Sequence, residues 1–181
     1  MLLTAKDLEK AIIFATDKHQ GQVRKGDGKP YILHPMKVMI TLMSIKKSNN
    51  IYLIAIASIL HDVKEDCDVS LEEIANLFGH GVASLVDELS SDKSEIEKVG
   101  KQVYLLKKML TMSSYALRIK LGDILDNLID IDSMNDEFKE KRIKLTRYIL
   151  DGLKSRKLTN THNKIIKEIK KELLQYKDVY I

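Results

Sequence analysis

A run of ten residues with almost no polar groups, followed at once by a cluster of charged side chains, constrains this chain most strongly. The run extends from Ile51 to Leu60, and its polar groups are Ser58 and the hydroxyl of Tyr52. It contains no glycine or proline and is long for a β-strand, so it predicts a helix that is buried on most sides. The rest of the chain is then expected to pack around this helix.

The charged cluster begins with His61 and Asp62 and continues with Glu65 and Asp66. Residues three and four apart share one face of a helix, so a helix that continued through the cluster would place these side chains together. Unpaired polar groups are costly to bury, so the imidazole and the carboxylates need partners. The cluster is therefore a candidate metal site with catalytic acids beside it, although a His-Asp pair alone also fits a solvated helix end.

Length and composition indicate one all-α domain over residues 1–181. Only two residues are proline and eight are glycine, which favours long helices, and the low aromatic content of 6% disfavours a β-sandwich. Helical periodicity recurs throughout, without a convincing strand pattern. We predict a bundle of about eight to ten helices, with a flexible basic loop at 19–29 and helices at 5–18, 35–46, 51–62, 71–78, 82–89, 97–111, 115–131, 136–153 and 160–176.

The compartment is predicted from cysteine content and from the absence of targeting signals. The single cysteine, Cys67, excludes an internal disulfide and a multi-cysteine metal site. The N-terminal segment lacks the basic and apolar regions of a signal peptide, and no apolar run is long enough to cross a membrane. We therefore expect a cytoplasmic protein without membrane contact.

Charge is distributed unevenly along the chain. Residues 139–181 contain 13 lysines and arginines against 5 acidic residues, whereas residues 1–138 contain 17 against 21. The acidic part holds the charged cluster, which suits a bound cation. The basic C-terminal helices, at about 136–177, could contact nucleic acid or an acidic partner, but solvated helix faces explain them more simply. We do not expect nucleic-acid binding, and association into a homo-oligomer stays open.

Two other segments offer ligands that could join the His-Asp pair. His34 lies just before a helix start in YILHP, and RIKLGDILDNL places Asp123, Asp126 and Asp130 in an apolar helix. Spacing alone does not select among these three aspartates. Two imidazoles and two carboxylates would form a mixed nitrogen and oxygen site, which suits manganese, iron or zinc. Ligands contributed by several helices are a usual arrangement in helix bundles.

Four motifs occur in order along the chain: AIIFATDKHQGQVRKGDGKPYILHP, ASILHDVKED, FGHGVASLVDELSSDK and IKLGDILDN. They lie within about residues 5–130 and are far more specific together than the His-Asp pair alone. With them the chain resembles the HD-domain hydrolases of the RelA/SpoT type, and most closely the small single-domain alarmone hydrolases. The resemblance implies that a Mn²⁺-dependent enzyme removes the 3′-pyrophosphate of guanosine tetra- or pentaphosphate, giving GDP or GTP.

The resemblance also implies roles for nine residues. It assigns the metal to His34, His61, Asp62 and Asp123, catalysis to Glu65 and Asp66, and nucleotide binding to Arg24, Lys25 and Asn127. These roles are chemically consistent, because a bound cation activates water and carboxylates orient it and move protons. Arginine and lysine supply the positive charge that phosphate groups require.

The chain departs from the family pattern at two positions of the last motif. Ile124 and Ile129 stand where the family usually has basic residues. If Ile129 faces the substrate, a phosphate contact is lost; the alternative is that it packs against a neighbouring helix. Outside the motifs, we expect His162 to be exposed.

Two alternatives to a guanosine alarmone hydrolase stay open. Basic residues such as Arg24 and Lys25 would also serve another phosphorylated nucleotide, for example an adenosine alarmone or the 2′-phosphate of NADPH. A degenerate relative that only binds nucleotide would be expected to lack the metal ligands or the acid pair, and both are intact in this sequence.

Overall fold

Helices and turns make up the computed structural model, which describes residues 2–45 and 50–177. Within these residues there is no β-strand, only an isolated antiparallel bridge between Val23 and Pro30. The predicted all-α fold is confirmed. The α-helices in the described ranges are α1 Ala5–Lys18, α2 Leu33–Ile45, α3 Ile51–Ile59, α4 Val63–Asp66, α5 Leu71–Phe78, α6 His80–Leu89, α7 Lys93–Val99, α8 Lys101–Thr111, α9 Ser114–Ile129, α10 Asp136–Gly152 and α11 Asn160–Leu173. None of these helices combines the length and the apolar character needed to span a bilayer.

The chain divides into two compact units. The first holds α1 to α6, and the second holds α7 to α11 together with the short segment Lys25–Asp27. In the first unit α3 contacts α1, α2 and α6, and six successive residues from Ile54 to Ile59 are buried. Ser58 lies among them and donates its hydroxyl to the carbonyl oxygen of Ile54 at 2.7 Å, so its burial costs little. The apolar run is therefore the centre of the first unit.

The second unit is built around α9. This helix is buried along most of its length and packs chiefly against α11, while α8 packs against α10. Lysines on the outer face of α10 pair with acids one turn away, as Lys144 does with Glu140 at 2.8 Å. Such pairs between residues four apart are typical of a solvated helix surface. They support the interpretation of the basic segment as solvated helix faces.

Several helix boundaries differ from the prediction, each for a local reason. The buried helix ends at Ile59, and α4 follows as a separate turn after His61 and Asp62. Gly100 adopts a φ of +81°, which divides the predicted helix 97–111 because L side chains rarely adopt that conformation. The side chain of Asp92 accepts from two backbone N–H groups of α7, so this helix begins inside a predicted loop. The predicted end of the second helix at residue 46 lies outside the described residues.

Candidate metal and active site

Two buried histidines and an aspartate lie together in the first unit. His34 is in the first turn of α2, and His61 and Asp62 lie in the turn between α3 and α4. Nε2 of His61 lies 3.0 Å from Oδ2 of Asp62, and Nε2 of His34 lies 3.8 Å from the same oxygen. Both imidazoles are only 2% exposed. The structure thus brings together three of the four residues that the resemblance assigns to the metal.

The orientation of His61 shows which of its ring nitrogens can bind a cation. Nδ1 lies 2.7 Å from the carbonyl oxygen of Ser58. A carbonyl oxygen can only accept, so Nδ1 carries a proton and Nε2 faces Asp62. In a neutral imidazole the Nε2 lone pair would then face a carboxylate oxygen at 3.0 Å, which is repulsive unless a cation interacts with both atoms. This donor set fits a divalent cation, since metal-bound histidines commonly donate their other N–H to a backbone carbonyl.

Glu65 and Asp66 lie in α4, one turn after Asp62. Their backbone N–H groups donate to the carbonyl oxygen of Asp62 at 3.1 and 2.9 Å, so the backbone joins the acid pair to the turn that carries the ligand. Loss of solvent around its carboxyl group raises the pKa of Asp66, and the negative charges of Asp62 and Glu65 raise it further. Three adjacent carboxylates create a local field that attracts cations.

Tyr31 also contacts this cluster, although neither its spacing nor the motifs assigned it a role. Its hydroxyl donates to Oδ2 of Asp62 at 2.7 Å, the same oxygen that faces the two histidines. Tyr31 is half-buried and lies three residues before His34, in the turn that leads into α2. This tyrosine, placed one turn before a candidate metal ligand, is the sequence signal from which a role for Tyr31 could have been predicted.

The basic loop is held by backbone hydrogen bonds within the first unit. The N–H of Arg24 donates to the carbonyl oxygen of Lys29 at 2.8 Å, and the N–H of Gly28 donates to that of Arg24 at 3.1 Å. These two hydrogen bonds close the loop into a turn. Arg24 is half-buried and Lys25 is exposed, so neither guanidinium nor ammonium is fully desolvated.

The remaining predicted ligand, Asp123, is buried in α9 of the second unit. Its Oδ2 accepts from Lys120 at 2.8 Å, and Asn127 donates both to its Oδ1 and to its backbone carbonyl. Asn127, predicted to line the nucleotide pocket, thus orients the Asp123 carboxylate. Asp126 is also buried, so burial alone does not choose between the two aspartates.

Two isoleucines of α9 that replace the family's basic residues lie in different environments. Ile124 is 6% exposed, whereas Ile129 is 50% exposed. Ile129 therefore does not pack tightly against a neighbouring helix, which was one of its two expected environments.

His162 was expected to be exposed, and this prediction is wrong, because it is only 2% exposed. Its Nε2 donates to the carbonyl oxygen of Ser114 at 2.9 Å, and its Nδ1 accepts from the backbone N–H of Thr159 at 3.2 Å. The imidazole thus closes a capping box at the start of α11 and ties that helix to α9. It has a structural role in the second unit.

Comparisons with known proteins support the same family. The HD domain family matches residues 11–152. The Drosophila melanogaster guanosine-3′,5′-bis(diphosphate) 3′-pyrophosphohydrolase MESH1 is 37% identical over 129 residues, which cover 71% of this chain and 70% of that protein. A guanosine-3′,5′-bis(diphosphate) 3′-pyrophosphohydrolase of Aquifex aeolicus is 33% identical over 155 residues, covering 84% of this chain. The chain spans only 22% of the length of that longer relative.

A solved structure shows the same likeness over almost the whole chain. It is that of a metazoan ortholog of SpoT that hydrolyzes ppGpp and plays a role in starvation responses. Its TM-score with this protein is 0.81 at 27% identity, over 98% of this chain and 99% of that one. The resemblance inferred from the four motifs is thereby confirmed, and the chain belongs to the HD domain family.

Proposed function

We propose that this chain hydrolyses the 3′-pyrophosphate of guanosine tetra- or pentaphosphate in the cytoplasm, with residues 1–181 acting as one hydrolase domain. Water is consumed, the bond between the 3′-oxygen and phosphorus breaks, the 3′-oxygen takes up a proton, and the products are pyrophosphate and GDP or GTP. The observation that carries the proposal is the cluster of His34, His61 and Asp62, with an acid pair one turn further on. MESH1, whose name states this reaction, is 37% identical and is covered over 70% of its length.

In this proposal one divalent cation is held by His34, His61, Asp62 and Asp123. His34, His61 and Asp123 are all buried, and each offers an atom of a type that binds metal ions. Mixed imidazole and carboxylate ligands suit manganese, which we propose as the native ion. When bound, the ion lowers the pKa of a water molecule and polarises a phosphoryl oxygen.

The remaining polar residues act on the substrate and on the water. Glu65 and Asp66 orient the attacking water and carry its proton, because their backbone bonds hold them next to Asp62. Arg24 can stack on the base or grip phosphate with its planar guanidinium group, and Lys25 adds an exposed positive charge. Asn127 holds the Asp123 carboxylate in place and lines the nucleotide pocket.

The experiment that tests this proposal is a nucleotide panel with separate detection of phosphate and pyrophosphate. Guanosine tetraphosphate, an adenosine alarmone and NADPH are each incubated with the purified protein and Mn²⁺, with and without EDTA. We expect EDTA-sensitive release of pyrophosphate from the guanosine substrate. Phosphate release from NADPH alone, or turnover of the adenosine alarmone alone, would assign a different substrate, and binding without any turnover would assign a non-catalytic relative.

A further inference from the structure

The proposed metal site includes a carboxylate oxygen that receives more than one interaction. Oδ2 of Asp62 lies 3.0 Å from Nε2 of His61 and 3.8 Å from Nε2 of His34. The same oxygen accepts a hydrogen bond from the hydroxyl of Tyr31 at 2.7 Å. A carboxylate on a short side chain can rotate about its terminal bond. A donor that fixes this rotation also fixes which oxygen faces the imidazoles.

Tyr31 is itself held in place by rings and by the backbone. Its ring lies 4.8 Å from that of His19, tilted by 36°, and 5.9 Å from that of His34 in an edge-on arrangement. Its backbone N–H donates to the carbonyl oxygen of Gln22 at 2.9 Å, and its own carbonyl accepts from the N–H of His34 at the same distance. These contacts hold the phenol in position.

His19 is positioned to support this arrangement. It caps the C-terminus of α1, is 3% exposed, and its Nδ1 lies 2.8 Å from Oε1 of Gln22. A buried imidazole with a fixed partner presents a rigid face for the phenol ring. Part of the support for Tyr31 thus comes from α1 and from the loop that follows it, which carry none of the proposed metal ligands.

The Tyr31 hydroxyl has a single proton, which it donates to Asp62. A change that removes only this oxygen would therefore remove the hydrogen bond to Asp62 while leaving the aromatic packing of the ring intact.

We propose that Tyr31 is a positioning residue whose hydroxyl orients the Asp62 carboxylate toward His34 and His61 and thereby raises the affinity of the site for a divalent cation. The proposal rests on the proposed function, because it takes Asp62 to be a metal ligand. Outer-sphere partners of metal ligands typically contribute about 10- to 100-fold to metal affinity. The alternative is that Tyr31 contributes only packing through its ring.

The test compares Mn²⁺ binding by the purified wild-type chain with that of Tyr31→Phe, using isothermal titration calorimetry. Tyr52→Phe is the matched control, because it removes a phenol hydroxyl from the same unit, at a cavity lined by Leu2, Leu3 and Phe78. Thermal melts in EDTA measure folding independently of the metal. We expect Tyr31→Phe to bind Mn²⁺ about 10- to 100-fold more weakly, with an unchanged melt in EDTA, while Tyr52→Phe binds like wild type.

Each negative result of this experiment has a different meaning. A wild-type chain that binds no Mn²⁺ would refute the proposed metal site itself. If wild type binds and Tyr31→Phe binds equally well, the positioning role is overturned and only ring packing is left. A Tyr31→Phe variant that melts several degrees lower in EDTA would assign the hydroxyl to folding, which also overturns the proposal.

Discussion

The choice between Asp123 and Asp126 is a residue-scale prediction. Both are buried in α9, and sequence spacing did not separate them. We expect Asp123→Asn to lose Mn²⁺ binding, because an amide is a much weaker ligand than a carboxylate, and Asp126→Asn to bind like wild type. Metal analysis of both variants after gel filtration shows which aspartate binds the ion. Wild-type metal content in Asp123→Asn would remove Asp123 from the ligand set.

The two isoleucines of α9 give a second residue-scale prediction. Ile129→Arg places a guanidinium group on a half-exposed position and should melt like wild type, whereas Ile124→Arg buries a charge and should cost at least about 2 kcal/mol of stability. If position 129 faces the substrate, the restored contact is worth roughly 1.5–3 kcal/mol, which lowers the KM for guanosine tetraphosphate about 10- to 100-fold with little change in kcat.

Melting curves and steady-state kinetics of the two arginine variants provide the check. A stable Ile129→Arg enzyme with an unchanged KM would show that this position does not contact the substrate phosphates. A loss of stability at position 129 equal to that at position 124 would contradict its observed exposure.

The residues of the candidate site could be proposed from the sequence, whereas the orientation of their side chains could not. His34, His61 and Asp62 could be selected because their motifs occur in order along the chain. The hydrogen bond from Tyr31 to Asp62 could not be predicted, because it depends on two side-chain rotamers and on a turn that interrupts the helix after Ile59.

At the scale of elements, helix interiors were predicted more accurately than helix ends. The bounds of α1 and α5 follow from apolar periodicity and from Gly79, which ends α5 with a φ of +90°. The split at Gly100 and the early start of α7 after Asp92 each depend on a single residue. The periodicity of a longer segment does not reveal the effect of one residue. His162 is the clearest error, because its burial depends on a contact with the start of α9, which is distant in the sequence.

Because of His162, we expect the stability of the second unit to depend on pH. Burial lowers the pKa of the His162 imidazole, with the charges of Arg156 and Arg118 acting in the same direction. Protonation would put a second N–H on Nδ1, which now accepts from Thr159. The folded state therefore binds fewer protons than the unfolded state below pH 6.5, the ordinary histidine value. Its contribution to stability is complete above that pH and declines as the pH falls toward the lowered pKa.

Denaturant unfolding of the wild type and of His162→Gln between pH 7.5 and 5 measures this contribution. We expect the wild type to lose stability more steeply than the variant, by at most about 1.4 kcal/mol per pH unit for one proton. His80→Gln, at an exposed position, is the control and should follow the wild-type slope. Parallel curves for wild type and His162→Gln would show that this histidine does not titrate differently on folding.

At the scale of the whole molecule, the all-α class and the family could be predicted because they depend on features spread over the chain. The absence of strand patterns, the scarcity of proline and glycine, and four ordered motifs all point the same way. The HD domain match over residues 11–152 extends beyond those motifs into α10. The division into two compact units was not predicted, since it depends on which helices pack together rather than on any local signal.

The most direct test of the central claim separates metal binding from chemistry in two variants, with metal content and pyrophosphate release measured on the same samples. Wild type should hold about one Mn²⁺ per chain and release pyrophosphate from guanosine tetraphosphate. Glu65→Ala should keep the ion and lose about 10²- to 10⁴-fold in turnover, because its carboxylate acts on the water. His61→Ala should lose both the ion and the activity. A metal-free Glu65→Ala protein, or a His61→Ala protein that keeps its ion and its turnover, would contradict the account.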